Sequence, residues 1–369
     1  MTQRPAQQGR NALPSGIAAA LALAALASFA SCGTPAGADA PPMARRGVLD
    51  LTRSGAPFSV PLDGEWVFYR ARIVIPGGTK NLFEAPDTFI GVPGSWNAHH
   101  AEDGSPGADG YATYRLKVLL PAGRDRLMAL EVGEVGTAYR LYVNGQHLGG
   151  KGNVGTSPDE SRPSTVPHVY LFRPAAGEAD IVMQVSNYHY RMGGIWYSIR
   201  LGDAEQVLGG RNLAMLAEAF FAGILLVMAL YHIVIAAVFR RDPASLFFGL
   251  GCLDIALRQL VIGNKLALLV FPALPWEAYL RAEYLTIGLA VPLFARYLKS
   301  IFPSEIHTGA LTAFNILCGI FCAAVIALPS RLYTETIIPY EIVIVGFIAY
   351  GVFTAVKSYR WGNSDALRV

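Results

Sequence analysis

Two hydrophobic rhythms divide the chain. In its first half apolar residues recur at every second position over short segments bounded by turn residues. Tyr114, Leu116, Val118 and Leu120 alternate with Arg115, Lys117 and Leu119, the period of a half-buried strand. Leu127–Val132 is more continuously apolar and reads as an inner strand. Leu62-Asp63-Gly64-Glu65-Trp66 is a turn entering a strand, and Ile181, Met183 and Val185 mark a last one. Ala138–Val143 runs into Asn144-Gly145, a hairpin signal because both residues tolerate positive φ. Many short strands without a helical period predict a β-sandwich or jelly roll over residues 47–206. Gly149–Gly155 superficially resembles a phosphate loop but lacks the strand–loop–helix setting, and reads as a loop at a sheet edge.

From residue 212 onward the rhythm changes to apolar runs long enough to cross a bilayer. Five spans are predicted, at about 215–239, 245–262, 276–298, 309–328 and 337–356. Asn264–Pro275 is an apolar-rich turn suited to the membrane interface. The two halves meet at Val185–Gly202, so anything the first half senses must pass through Ser198–Arg211 into the first span. At the N-terminus, Arg4 and Arg10 precede the apolar Ile17–Ala30, which predicts a signal peptide over 1–38 and a short Pro-rich linker over 39–46. Two cleavage routes fit: a lipobox ending at Cys32, which would then be lipidated, or the small residues Ala36-Gly37-Ala38. Loop charge sets the orientation. Arg240, Arg241, Arg296, Lys299, Lys357, Arg360 and Arg368 fall on one side, against Lys265 and Arg331 on the other, so the sandwich is expected outside and the C-terminus in the cytoplasm.

Charge narrows the function. The formal net charge is +3 and no basic stripe carries interleaved aromatics, which argues against nucleic acid as a partner. Of four cysteines, Cys32 follows the N-terminal apolar run and Cys252, Cys318 and Cys322 lie in the membrane half, so the sandwich has no disulfide framework. No metal-ligand spacing is present; Asn97, His99 and His100 share one loop without it. Glu131 and Glu134 more simply mark a strand end than a catalytic carboxylate pair. The expectation is a non-enzyme without cofactor or metal.

Candidate ligand contacts are Trp96, Tyr188, His189, Arg191 and Trp196, which combine flat ring faces with hydrogen-bond donors as a saccharide or other small molecule requires. The plainer reading puts the tryptophans, Trp66 included, in the core and makes His189 structural. Inside the spans, Asp254 and Arg258 are four residues apart on one helix face and are expected to pair. Glu218 and His232 lie in the first span, and Arg281 and Glu283 near the outer end of the third.

The ordered motifs LDGEW, VPGSWN, GYATYRLKV, AYRLYVNG and VSNYHYRMGGIW resemble the jelly-roll sugar-binding domain of the β-galactosidase and β-glucuronidase family. They resemble still more the extracellular domain of bacterial seven-transmembrane receptors with diverse intracellular signalling modules. LYHIVIAAVFRRDPASLFFGLGCLDIALRQL, LPWEAYLRAEYL and PLFARYLKSIFP are similar to that family's membrane domain. The resemblance implies a galactose-binding-like jelly roll followed by an α-helical transmembrane bundle, in a bacterial inner-membrane receptor in contact with lipid. It implies an extracytoplasmic ligand and a cytoplasmic signalling partner. Two departures stand out. Arg191-Met192-Gly193-Gly194-Ile195 precedes Trp196 where the glycosidases carry acidic residues, and the chain reaches Val369 where a sixth span is expected, so a truncated receptor is expected. A membrane-anchored carbohydrate-active enzyme or accessory is one alternative, and a structural envelope protein that binds a protein partner is another.

Overall fold

The computed structural model describes residues 42–55, 58–76, 88–99, 107–121, 126–174, 177–239 and 242–360. The expected signal peptide, Cys32, residues 39–41 of the linker, His100, Arg240, Arg241 and Arg368 lie outside them.

The first half is a two-sheet sandwich. Its larger sheet has the order β10-β9-β12-β6-β3-β4, formed by Gln146–Lys151, Ala138–Val143, Glu178–Asn187, Gly110–Leu119, Gly64–Arg70 and Thr88–Val92. All neighbours on this path are antiparallel, while β1 (Val48–Asp50) adds a parallel pairing to β6. The smaller sheet has the order β11-β7-β14-β2, formed by His168–Phe172, Met128–Val132, Arg200–Asp203 and Ser59–Pro61. Three two-residue strands, β5 (Gly94–Ser95), β13 (Gly194–Ile195) and β8 (Val135–Gly136), tie the loops at one end.

The alternating pattern works as expected on β6, where Tyr114, Leu116 and Val118 enter the core beside Trp66, Phe68, Leu141, Ile181 and Met183. On the other face Arg115 grips Asp180 through two bonds of 2.8 and 3.0 Å. β7 is an inner strand, as its continuous apolar run implies. Asn144 and Gly145 adopt φ of 50° and 79°, the positive values that this two-residue hairpin between β9 and β10 demands. Gly149–Lys151 belongs to edge strand β10, not to a loop, because a register shift at His147–Gly149 keeps it in the ladder.

Strand β14 ends at Asp203 and helix α1 (Ala204–Val238) begins at the next residue. At 35 residues this helix is ~52 Å long, well beyond the hydrocarbon thickness of about 30 Å. Its first turn packs Ala204 and Val207 on Ala129 of the smaller sheet. Helix α2 (Pro243–Val261) starts with the Asp242 carboxylate accepting from the Ser245 amide at 3.1 Å and with proline in its first turn. A one-turn helix α3 (Ala267–Val270) and the Phe271 that ends it expose Leu269, Val270 and Phe271, in keeping with an apolar interfacial turn. Then follow α4 (Trp276–Ile301), α5 (Thr308–Ala327), the short α6 (Ser330–Tyr333) with a 3-10 turn at Thr334–Thr336, and α7 (Ile337–Arg360).

Among the described residues four segments are long and apolar enough to cross a membrane: Ala204–Val238, Pro243–Val261, Thr308–Ala327 and Ser330–Thr354. The sequence pattern predicts five. The remaining helix, α4, has the length at 26 residues but carries Glu277, Arg281, Glu283, Arg296 and Lys299. Helices α4, α5 and α7 share an aromatic core in which Phe321 stacks on Tyr340 at 4.0 Å. Gly288 makes this approach feasible, since a Cβ there would lie 2.6 Å from the Cys322 sulfur.

Candidate functional site

The residues that combine charge, burial and unusual backbone geometry collect where the sandwich meets the helices. The sandwich contributes Asp109, Glu134 beyond β7, Thr165 and the loop Tyr188–Trp196. The helical half contributes Lys265 after α2, the first two turns of α4, and the segment from Arg331 to Glu341.

Lys265 is the centre of this seam. It is 1% exposed and adopts φ +53°, a left-handed conformation that costs a residue with a side chain roughly 1–2 kcal/mol. Its ammonium lies 3.0 Å from Glu134 of the sandwich and 3.7 Å from Glu283 of α4, and 5.0 Å from the centre of the Tyr279 ring. Burial alone would lower the Lys265 pKa, but Glu134 and Glu283 outweigh it and hold the ammonium above its ordinary value. Burial pushes the Glu134 carboxyl upward, Lys265 drawing it part of the way back. A lone buried charge is costly and a paired one much less so, so each member of this cluster depends on the others being present.

Further contacts flank it. The Tyr279 hydroxyl accepts from the Thr165 amide and meets the Thr165 hydroxyl, both at 3.2 Å. The hydroxyls of Tyr190 and Tyr284 meet at 3.0 Å. The Arg191 amide donates to Thr334 Oγ1 at 3.2 Å, and Arg331 pairs with Asp109 at 2.9 Å. His189 meets Trp276 edge-on, with ring centres 6.3 Å apart.

The predicted ligand residues separate on this geometry. Trp96 is 0% exposed, stacks on Tyr114 in the core and donates its indole N–H to the Ala108 carbonyl at 3.0 Å, so it offers no ring face to a ligand. The physical reason is the apolar end of the sandwich that its ring fills, and the plainer core reading holds for it. Tyr188 donates to the Thr156 carbonyl at 2.6 Å and His189 Nε2 sits 3.2 Å from the Ser161 carbonyl, both closing loops within the sandwich. Trp196 packs on Tyr190 at 4.8 Å and is half-buried. Arg191 and Trp196 keep the character of binding groups: Arg191 Nε and the Trp196 indole Nε1 are both buried without a hydrogen-bond partner among the described residues.

Within the helices the expected Asp254–Arg258 pair is not formed. Arg258 turns away toward α4, where it donates to the Glu283 carbonyl at 2.7 Å and to Thr286 Oγ1 at 3.4 Å. Asp254 faces instead an apolar cavity of about 320 Å³ between α2, α4 and α7. Glu218 of α1 accepts from the Asn264 side chain at 2.9 Å and so holds the turn that carries Lys265. Arg281 pairs with Glu277 at 3.1 Å and caps α5 through the Leu328 carbonyl, which is a packing role. In the sequence Lys265 is a lone outer-loop lysine, and its partners Glu134 and Glu283 are distant from it in the chain. The one available signal was that Glu134, Lys265 and Glu283 are charges at the ends of apolar segments.

Comparison with known proteins bears on both halves. The sandwich is similar in structure to a GH2 β-galacturonidase from Eisenbergiella tayi bound to galacturonate (14% identity over 40% of this chain and 25% of that one, TM-score 0.29). It is also similar to a β-glucuronidase from Ruminococcus gnavus (15%, 40% and 29%, TM-score 0.31) and to one from an uncultured Clostridium sp. (19%, 41% and 30%, TM-score 0.32). The chain thus spans 25–30% of their length, and likenesses this slight say nothing of its activity. No curated protein matches the chain. Residues 214–368 match the family described as 7TM diverse intracellular signalling. From within α1 to beyond α7, the helical half is therefore similar to the membrane domain of that family.

Proposed function

We propose that the chain is a sensory receptor of the bacterial inner membrane, with the sandwich outside, α4 as a fifth span and the far ends of α4 and α7 in the cytoplasm. The observation that carries this reading is the seam. The helix ends that touch the sandwich, at Lys265, Trp276 and Arg331, are the ends that loop charge places outside. Arg296, Lys299 and Lys357 fall at the opposite ends. Occupancy of the sandwich would then bias the helices by two routes: β14 running directly into α1, and the Glu134–Lys265–Glu283 cluster. Such coupling needs a ligand that binds two arrangements of the seam with different affinity.

The family match is to a receptor-type domain, and a catalytic carboxylate pair is not what Glu131 and Glu134 form: Glu134 is committed to Lys265. We therefore read the chain as a non-enzyme. A saccharide ligand would need an open ring platform, and the burial of Trp96 weighs against one at that position.

Single cysteines test the orientation in a background where the native cysteines are serine. Asp159→Cys, on an exposed sandwich loop, should react with a membrane-impermeant maleimide in intact spheroplasts. Ser304→Cys, between α4 and α5, should react only after permeabilisation. The reverse pattern would overturn the orientation and with it the receptor reading.

A further inference from the structure

At the seam lies a hollow of about 150 Å³ lined by Tyr190, Arg191, Arg258, Glu283, Tyr284 and Glu341, with two isoleucines as its apolar wall. Two guanidiniums and two carboxylates therefore face one small space. Yet among the described residues no ion pair crosses it. Arg258 spends one nitrogen on the Glu283 carbonyl and Thr286, Glu283 leans toward Lys265, Arg191 keeps a buried Nε without a partner, and the exposed Glu341 makes no hydrogen bond or ion pair. Opposite charges held apart at the edge of a membrane are costly unless something between them satisfies both.

We propose that this hollow binds a small zwitterion, its anionic group on Arg191 and Arg258 and its ammonium on Glu341 and Glu283. A cavity of this volume holds about six to ten non-hydrogen atoms when snugly filled, the size of an amino acid or of an ethanolamine phosphate. The tyrosine hydroxyls of Tyr190 and Tyr284 supply neutral donors and acceptors beside the anion. Because Arg191 belongs to the sandwich while Arg258, Glu283 and Glu341 belong to three different helices, such a ligand joins four elements at once. The inference deepens the receptor reading and rests on it for its consequence, though not for the binding itself. The same charge pair exists free in solution, as in glycine or serine, and on a lipid, as in the phosphatidylethanolamine headgroup.

The experiment is thermal unfolding of the full chain in detergent against glycine, L-serine and phosphoethanolamine, with propionate, ethylamine and glucose as single-charge and neutral controls. A parallel arm compares nanodiscs of pure phosphatidylcholine with nanodiscs containing phosphatidylethanolamine. A saturable upward shift with a zwitterion and with none of the controls is expected. A charge-assisted contact is worth about 1.5–3 kcal/mol, so Glu341→Gln should weaken the apparent affinity at least about tenfold. Arg191→Ala should do the same. Glu341 is exposed and unpaired, so its variant should melt without ligand where the parent does. A shift only in the phosphatidylethanolamine nanodiscs, lost in Glu341→Gln, assigns the site to the headgroup. An equal shift with propionate, a shift that survives Glu341→Gln, or no shift in any arm overturns the proposal. Binding without any change at the seam would instead refute the receptor reading and leave the site standing. Failure of the maleimide test would likewise leave the site untouched.

Discussion

Replacing Lys265 by methionine keeps the length of its side chain and removes its charge. The ammonium is 1% exposed, while the side chains of Glu134 and Glu283 retain 19% and 25% of their exposure. Removing one member of a buried pair costs about 3–5 kcal/mol because the partner charge stays behind. Partial exposure of the two carboxylates softens that to about 2–4 kcal/mol, a fall in melting temperature of roughly 3–5 °C for a chain this large. Glu134→Gln in the Lys265→Met background should restore much of the loss by removing a stranded carboxylate. The coupling energy of the double-mutant cycle should therefore be about 1.5–3 kcal/mol. Thermal unfolding of the four proteins in the same detergent measures it. A Lys265→Met loss below about 0.5 kcal/mol, the level of an exposed ion pair, would refute the claim that Lys265 anchors the seam.

Other expectations follow from neighbouring contacts. Asp109→Asn removes the exposed pair to Arg331 and should cost no more than about 0.5 kcal/mol, which a melting comparison with Lys265→Met shows directly. Tyr279→Phe deletes the acceptor of the Thr165 amide and should cost roughly 1–3 kcal/mol, with faster hydrogen exchange at Thr165. Trp96→Ala should lose about 3–5 kcal/mol of stability while leaving ligand affinity unchanged among molecules that still fold; a selective loss of affinity would return Trp96 to the binding site. Because burial raises the folded pKa of Glu134, the folded state holds a proton that the unfolded chain has already released. The contribution of this group is present below the ordinary carboxylate range and is lost as pH rises through the raised value, so Glu134→Gln should flatten the dependence of melting temperature on pH across that window.

Much of the fold is legible from local pattern. Strands β6, β7, β9 and β12 and the Asn144–Gly145 hairpin each follow from period, turn chemistry or an unbroken apolar run, which act within a few residues. The helices follow for the same reason. What the pattern could not give are the pairings set by chain segments far apart. Asp254 and Arg258 look like a pair by spacing, yet α4 offers Arg258 a carbonyl and a hydroxyl, and the guanidinium goes there. Trp96 looks like a binding residue from its polar loop, yet the loop folds it inward. Arg191 reads from its loop as a contact to an extracytoplasmic ligand, and the structure places it at the seam with the helices. Lys265 drew little notice, because a buried lysine reveals itself only through Glu134 and Glu283, 131 residues before it and 18 after it in the chain.

Hydrogen exchange of the full chain in nanodiscs, with and without a saturating zwitterion that raises the melting temperature, tests the coupling most directly. The account predicts that protection rises together in the sandwich loop 188–196, in the Lys265 turn 262–266 and in 334–341, and that Lys265→Met uncouples the first from the other two. Protection confined to the sandwich, or unchanged coupling in Lys265→Met, would contradict it.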